Sequence, residues 1–118
     1  ARQGVFNERA MRLVPESMRR RFFVKQRDAE LWAAKPVLSD WMRFQQHNLL
    51  EPLSEPPFDV VFLKNVLIYF DTDSKRKVVD VVRRSLKPGG YLVTSGAEGV
   101  SEMLKELDQV TPWLHRAK

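Results

Sequence analysis

With 118 residues, a net charge of +5 and no cysteine, the chain has room for about one domain with a single core, and it excludes disulfide frameworks, thiolate metal sites and cysteine nucleophiles. His47 and His115 are the only imidazoles and neither has a His-x-x-x-His or His-Glu spacing, so no metal site is expected. No window reaches the roughly 18 consecutive apolar residues of a membrane span and the N-terminus lacks signal-peptide architecture, so the expectation is a cytoplasmic protein without membrane insertion.

The positive charge gathers at the start, where residues 1–27 hold eight Arg or Lys against two Glu. Asn7 is placed to N-cap a short helix, and Pro15 suits the first turn of a second. Arg19-Arg20-Arg21, beside Phe22 and Phe23, reads first as a helix end whose cations complement the macrodipole. Its second reading is a patch for an acidic partner; nucleic acid would rest on charge alone, which is too little to carry it. In "FFVKQRDAELWAAK" aromatic and β-branched residues flank a polar centre, the pattern of a small hairpin or an irregular excursion. Pro36 to Asp40 is expected to be a short helix. "WMRFQQ" sets Met42 and Phe44 against Arg43 and Gln45, which predicts a strand, and "HNLLEPLSEPP" breaks it into a loop.

From Phe58, "DVVFLKN" is a nearly continuous apolar run, the type expected of a parallel strand covered on both faces. Asp71-Thr72-Asp73 offers N-caps to "SKRKVVDVVRRSLK", where Val78, Val81, Val82 and Leu86 form one apolar stripe and Arg83, Arg84 and Lys87 complement the dipole. Pro88-Gly89-Gly90 is expected to stop that helix, with "YLVTS" as the next strand, "SEMLKEL" as a helix and "VTPWLHR" as a last short strand. Strand, helix and strand in this order make a right-handed parallel crossover and an α/β class. Burying Lys64 and Asn65 without partners would cost roughly 1 to 3 kcal/mol each. They stand instead at the carboxyl end of the Phe58 strand, where sheets of this class hold ligands.

"FDVVFLKNVLIYFD", followed by a helix and "LKPGGYLVTSGAE", resembles the C-terminal part of the CheR-type chemotaxis receptor methyltransferases. That family shows F-D-hydrophobic-I-F-C-R-N-V-L-I-Y-F-D, a helix, L-K-P-G-G-hydrophobic-L and then G-H-S-E. "ARQGVF" is similar to its A-R-x-G-x-Y and "FQQHNLLEP" to its F-x-x-x-N-L-L, so the resemblance runs almost end to end. It implies a Rossmann-like class I methyltransferase fold, S-adenosylmethionine as cofactor with S-adenosylhomocysteine as product, and glutamate side chains on the cytoplasmic domain of chemoreceptors as acceptors. Carried over by position, Asn48 and Leu49 match the loop against the adenosine, and Leu63, Lys64 and Asn65 match the strand end beside the cofactor. Tyr69 matches the catalytic tyrosine near the methyl-transfer centre. Residues 21–40 match the region where the family inserts a small β-subdomain, which some members use to grip a receptor tail peptide.

Three departures accompany the match. Lys64 replaces an arginine and loses its bidentate geometry, Leu63 replaces a cysteine, and Ser95-Gly96-Ala97-Glu98 replaces G-H-S-E, so that Glu98 alone persists. The family's Gly-rich cofactor loop and N-terminal helical domain precede the part matched, and Gly89-Gly90 follows a helix rather than a strand. Residues 1–118 are therefore expected to be a partial methyltransferase domain, the C-terminal half of the doubly wound sheet, inactive alone. The alternative is a non-catalytic binding or scaffold module using the surface of Arg19 to Lys25. A half-sheet is also expected to expose an unpaired edge and to self-associate through it.

Overall fold

The chain divides into two units, Ala1–Gln46 and His47–Lys118, in a computed structural model that describes residues 2–27, 30–96 and 99–118. In the first unit, strand β1 (Val5–Asn7) leads into helix α1 (Glu8–Met11), whose free N–H groups are capped as the sequence predicts: Asn7 Oδ1 accepts from the Ala10 N–H at 2.8 Å. Helix α2 (Glu16–Phe22) follows, with Pro15 at its N-cap. The polar-centred stretch is a hairpin of β2 (Phe23–Lys25) and β3 (Leu31–Ala34). β1 pairs with the other side of β3, so a three-stranded antiparallel sheet forms with β3 central, and it takes in residues outside 21–40. Phe6 and Phe23 meet edge to face with centroids 6.0 Å apart.

Helix α3 (Pro36–Ser39) fills the place expected for it. The strand expected at "WMRFQQ" does not form: residues 42–46 have no regular structure. Alternation makes a strand only where a neighbour completes the ladder, and among the described residues none pairs with this segment. Arg2 donates instead to the Phe44 carbonyl at 3.1 Å.

The second unit is a four-stranded sheet in the order β4-β5-β7-β6, from β4 (Phe58–Phe62), β5 (Leu86–Val93), β6 (Asp108–Thr111) and β7 (Leu114–Arg116). β4 and β5 are parallel, as the crossover requires, and are joined by helix α4 (Thr72–Arg84). The C-terminal segment is a hairpin turning at Pro112-Trp113 rather than one strand, and "SEMLKEL" supplies a single 3-10 turn, Ser101–Leu104, rather than a helix.

Two further expectations are corrected here. Helix α4 ends at Arg84, so the buried stripe is Val78, Val79 and Val82, while Leu86 already belongs to β5. The Pro-Gly-Gly stretch does not stand between helix and strand but lies within β5. Phe58 pairs with Leu86 and Val60 with Tyr91, so "LKPGG" bulges out over two residues of β4. Gly90 makes this possible: a Cβ there would lie 2.9 Å from the Lys87 carbonyl oxygen and 3.1 Å from those of Phe58 and Asp59.

β4 is not covered on both faces. Val61 shares a face with Leu92 and His115, its register partners across β5 and β7, and packs toward the core with α4. Val60, Phe62 and Tyr91 turn to the other face, where Phe62 is 71% exposed. β4 is also the sheet's outer strand, without a partner on its far side among the described residues. Its apolarity therefore reflects a buried design that these elements cover on one side only. The core is one cluster of Leu63, Leu67, the α4 valines, Leu86, Leu92, Val100, Leu104 and Leu107. Among the described residues, no helix is long and apolar enough to cross a membrane.

Candidate functional site

Parallel pairing of β4 with β5 sends both carboxyl ends to one edge of the sheet, and the Leu63 N–H continues the ladder to the Val93 carbonyl at 2.8 Å. The chain then turns at Asn65, which holds φ +59°, a left-handed conformation that asparagine tolerates better than most residues. Lys64 and Asn65 are both exposed there, whereas the Leu63 side chain is 5% exposed and belongs to the core.

After this turn, Leu67–Tyr69 forms one 3-10 turn, with the Phe70 N–H donating to the Leu67 carbonyl at 3.1 Å. Leu67 is fully buried and anchors the turn; Tyr69 projects outward and is 82% exposed. A phenol placed so is not a core residue. Asp71 then caps α4 through Oδ1, which accepts from the Ser74 N–H at 2.7 Å, and this bond with that from the Ser74 side chain holds its carboxyl below the usual range.

Asn48 and Leu49 lie in a tight turn of the same unit. Asn48 Oδ1 accepts from the Leu50 N–H at 3.1 Å, its carbonyl accepts from Glu51 N–H at 3.0 Å, and His47 Nε2 lies 3.0 Å from the Glu51 carbonyl. The Nδ2 donors of Asn48 are not used by this turn. Leu49 is partly buried, and with Leu53, Phe58, Val61, Leu63 and Val82 it lines a groove of about 150 Å³. The fold thus brings Leu49 and Leu63 to one apolar wall and sets Lys64, Asn65 and Tyr69 at the strand end beyond it.

Sequence reasoning missed a second feature at the carboxyl end of β5. The Thr94 N–H donates to the Trp113 carbonyl at 2.8 Å, and the Gly96 N–H donates to Thr94 Oγ1 at 3.2 Å. Gly96 holds φ +79°, and a Cβ there would lie 3.3 Å from the Pro112 carbonyl oxygen, so the position of the family's G-H-S-E histidine has little room for a side chain. Glu98 lies outside the described residues. Thr94, Gly96, Ser101, Gln109, Pro112 and His115 line a cavity of about 70 Å³. His115 is 4% exposed, its Nδ1 has no hydrogen-bond partner among the described residues, and burial lowers its pKa below the ordinary 6.5. The signal available in sequence was an imidazole in the alternating "WLHR", on a chain with only one other.

The triple arginine of the first unit is largely engaged by its own fold. Arg19 stacks over Trp32 at 5.5 Å and donates to the carbonyls of Met11 and Val14 and to Glu8. Arg20 pairs with Glu16 at 2.6 Å, and Arg21 lies over Phe22 at 5.2 Å. Arg19 is therefore a structural hub rather than part of an outward patch. Trp32 Nε1 donates to the other oxygen of Glu8 at 2.7 Å; this bond, with the Arg19 pairing, holds the Glu8 carboxyl below its usual range.

The family model "CheR methyltransferase, SAM binding domain" matches residues 1–114. Chemotaxis protein methyltransferase 1 of Pseudomonas aeruginosa is 36% identical over 106 residues, 87% of this chain and 38% of that protein. Chemotaxis protein methyltransferase 1 of Vibrio cholerae is 32% identical over 110 residues, 92% of this chain and 40% of that protein. The chain thus spans about two fifths of the length of these curated relatives. The N-methyltransferase NodS of Bradyrhizobium japonicum, solved in complex with S-adenosyl-L-homocysteine, superposes with a TM-score of 0.57 at 21% identity, covering 70% of this chain and 59% of that one. That likeness is one of fold, and it agrees with the α/β class expected from the crossover and with the Rossmann-like fold that the resemblance implies. With the family match extending from residue 1 to residue 114, the chain belongs to the CheR methyltransferases, within their S-adenosylmethionine-binding domain.

Proposed function

We propose that residues 1–118 supply one wall of the methyl-transfer site of an S-adenosylmethionine-dependent protein-glutamate O-methyltransferase that acts on chemoreceptors. The observation that carries this reading is the edge beyond β4, where exposed Lys64, Asn65 and Tyr69 stand at the carboxyl end of a parallel strand, the place where α/β sheets hold ligands. Asn48 and Leu49 fit an adenosine: the amide offers donors to a base edge and the leucine an apolar face to a ring. When bound, S-adenosylmethionine supplies a methyl group already activated on a sulfonium. Because a glutamate is ionised at neutral pH, the chain's residues have little proton transfer to perform, and their task is alignment. Tyr69 is assigned to orient the acceptor carboxylate by donating its phenolic hydrogen bond, with Lys64 beside it as a compact cation.

The three-stranded sheet of the first unit suits the role of the small β-subdomain, since its outer strands β1 and β2 each have one side unpaired among the described residues. An extended receptor tail would dock there by adding a strand. The free edge of β4 suits self-association or pairing with a further segment in the same way; light scattering that finds only monomer across a wide concentration range would remove the first of these.

A chimera tests the central proposal: these 118 residues replace the matching segment of the Pseudomonas aeruginosa relative, and methyl transfer to a chemoreceptor is measured beside calorimetric binding of S-adenosylhomocysteine. The chimera is expected to bind and to transfer. Asn65→Ala should weaken binding, and Tyr69→Phe should slow transfer with binding intact. A folded chimera that binds no S-adenosylhomocysteine would overturn the assignment of Asn48, Leu49, Lys64 and Asn65.

A further inference from the structure

The cavity beyond β5 has a place and a chemistry that the cofactor wall does not use. Phe62 pairs with Val93, and Val93 with Leu114, so Thr94 stands one strand from Lys64-Asn65 and the Pro112-Trp113 turn stands two. At a strand spacing of roughly 5 Å, the two walls of the cavity lie about 5 and 10 Å across the sheet from Lys64-Asn65. Its volume of about 70 Å³ admits a group of a few heavy atoms. Among the described residues, none that lines it is charged: the polar members are Thr94, Ser101, Gln109 and His115, with Nδ1 of His115 buried and without a partner among those residues. Burying an ion against such a lining without a counter-charge is costly, whereas a neutral group with a donor and an acceptor can satisfy the imidazole. Trp113, 49% exposed on the turn that closes one side, offers an aromatic shelf to whatever chain enters.

We propose that the cavity of Thr94, Gly96, Ser101, Pro112 and His115 is an acceptor subsite that takes a small neutral hydrogen-bonding group, a carboxamide or hydroxyl, from the residue next to the carboxylate to be methylated. This rests on the reading of the β4 edge as the methyl-transfer site. The subsite would give the enzyme sequence preference beside its target, because an acceptor without that group leaves the buried imidazole unsatisfied.

The two histidines provide the readout. In the 118-residue chain carrying isotope-labelled histidine, acetamide is expected to shift the ring-nitrogen resonances of His115 saturably and to leave those of His47 unmoved. Acetate, its charged counterpart, is expected to leave both unmoved at neutral pH. Thr94→Val should weaken the acetamide response about 5-fold, the loss of one hydrogen bond; Ser101→Ala serves the same purpose if the first variant does not fold. The dipeptides Ac-Asn-Glu-NH2 and Ac-Ala-Glu-NH2 link the cavity to the acceptor, and the first is expected to bind roughly tenfold more tightly. A silent His115, an equal response to acetate, or equal affinities for the two dipeptides would each overturn the proposal. Failure of the methyl-transfer reading is told apart by the chimera's binding of S-adenosylhomocysteine, since the acetamide titration involves no cofactor.

Discussion

The two units reach stability by different means. In His47–Lys118 the β4-α4-β5 crossover encloses a continuous apolar cluster, with Leu67 and Val78 wholly removed from solvent. In Ala1–Gln46 Met11 is the buried hydrophobic residue among those described, and order comes from directional contacts instead: Arg19 with Glu8, Trp32 and two carbonyls, Asn7 on α1, and Phe6 on Phe23. Apolar burial is additive and tolerant of orientation, so it holds a wall in place. A small unit has too little interior for that and depends on a few specific partners, so it opens locally at lower cost. A rigid wall suits alignment of a reacting group, and a locally adaptable sheet suits the capture of a peptide.

The comparison can be broken most forcefully at its stronger side. Leu67→Ala should cost about 2 to 5 kcal/mol by urea unfolding and should speed amide exchange across the second unit while leaving β1, β2 and β3 unchanged. Gly90→Ala forces a methyl group against three carbonyl oxygens and should cost about 1 to 3 kcal/mol in the same unit, with exchange rising first along the β4-β5 ladder. In the first unit, Arg19→Met strands the carbonyls of Met11 and Val14 and should cost about 1 to 2 kcal/mol. Its effect should stay within Ala1–Gln46, and an equal loosening of both units would end the distinction.

Two smaller effects sharpen it. Burial depresses the pKa of His115 in the fold, so the unfolded chain takes up the proton first and stability must fall with falling pH. The second unit should keep its full stability above the ordinary value of 6.5 and lose it progressively as pH drops from there toward the lower folded-state value. His115→Gln should remove that acid-side slope in pH-dependent denaturation. Tyr69→Phe should change stability by less than about 0.5 kcal/mol, since the side chain is exposed, yet it should slow methyl transfer in the chimera by roughly 100-fold if the phenol sets the acceptor's alignment.

Much of the fold was legible because its signals are local. The caps at Asn7 and Asp71 and the amphipathic α4 each depend on residues a few positions apart and form as expected, and of the two readings of "FFVKQRDAELWAAK" the hairpin is the one that forms. Val79 displaced Val81 from the buried stripe because the rotation of the helix face is set by packing rather than by composition, and Leu86 left it because α4 ends at Arg84. "WMRFQQ" formed no strand and "VTPWLHR" divided into a hairpin for one reason: alternation says that a segment can be a strand but not whether, or with what, it pairs. Of the candidate site residues, Lys64 and Asn65 were readable as polar groups at the end of an apolar strand. Tyr69, Asn48 and Leu49 were readable only through the family pattern, since an amphipathic turn looks the same whether it faces a ligand or a core.

By itself the sequence determined the β4-α4-β5 order, the crossover, the caps and the family, because helix bonds and motif spacings are written within short reaches of the chain. The tertiary structure alone decided that β4 lies at an edge with one face open, that "LKPGG" bulges over β4 around Gly90, that Arg19 turns inward, and that His115 lines a cavity beside the proposed acceptor edge. Those outcomes depend on contacts between residues far apart in the chain, and no local pattern specifies which of the available partners a strand, a glycine or an imidazole will meet.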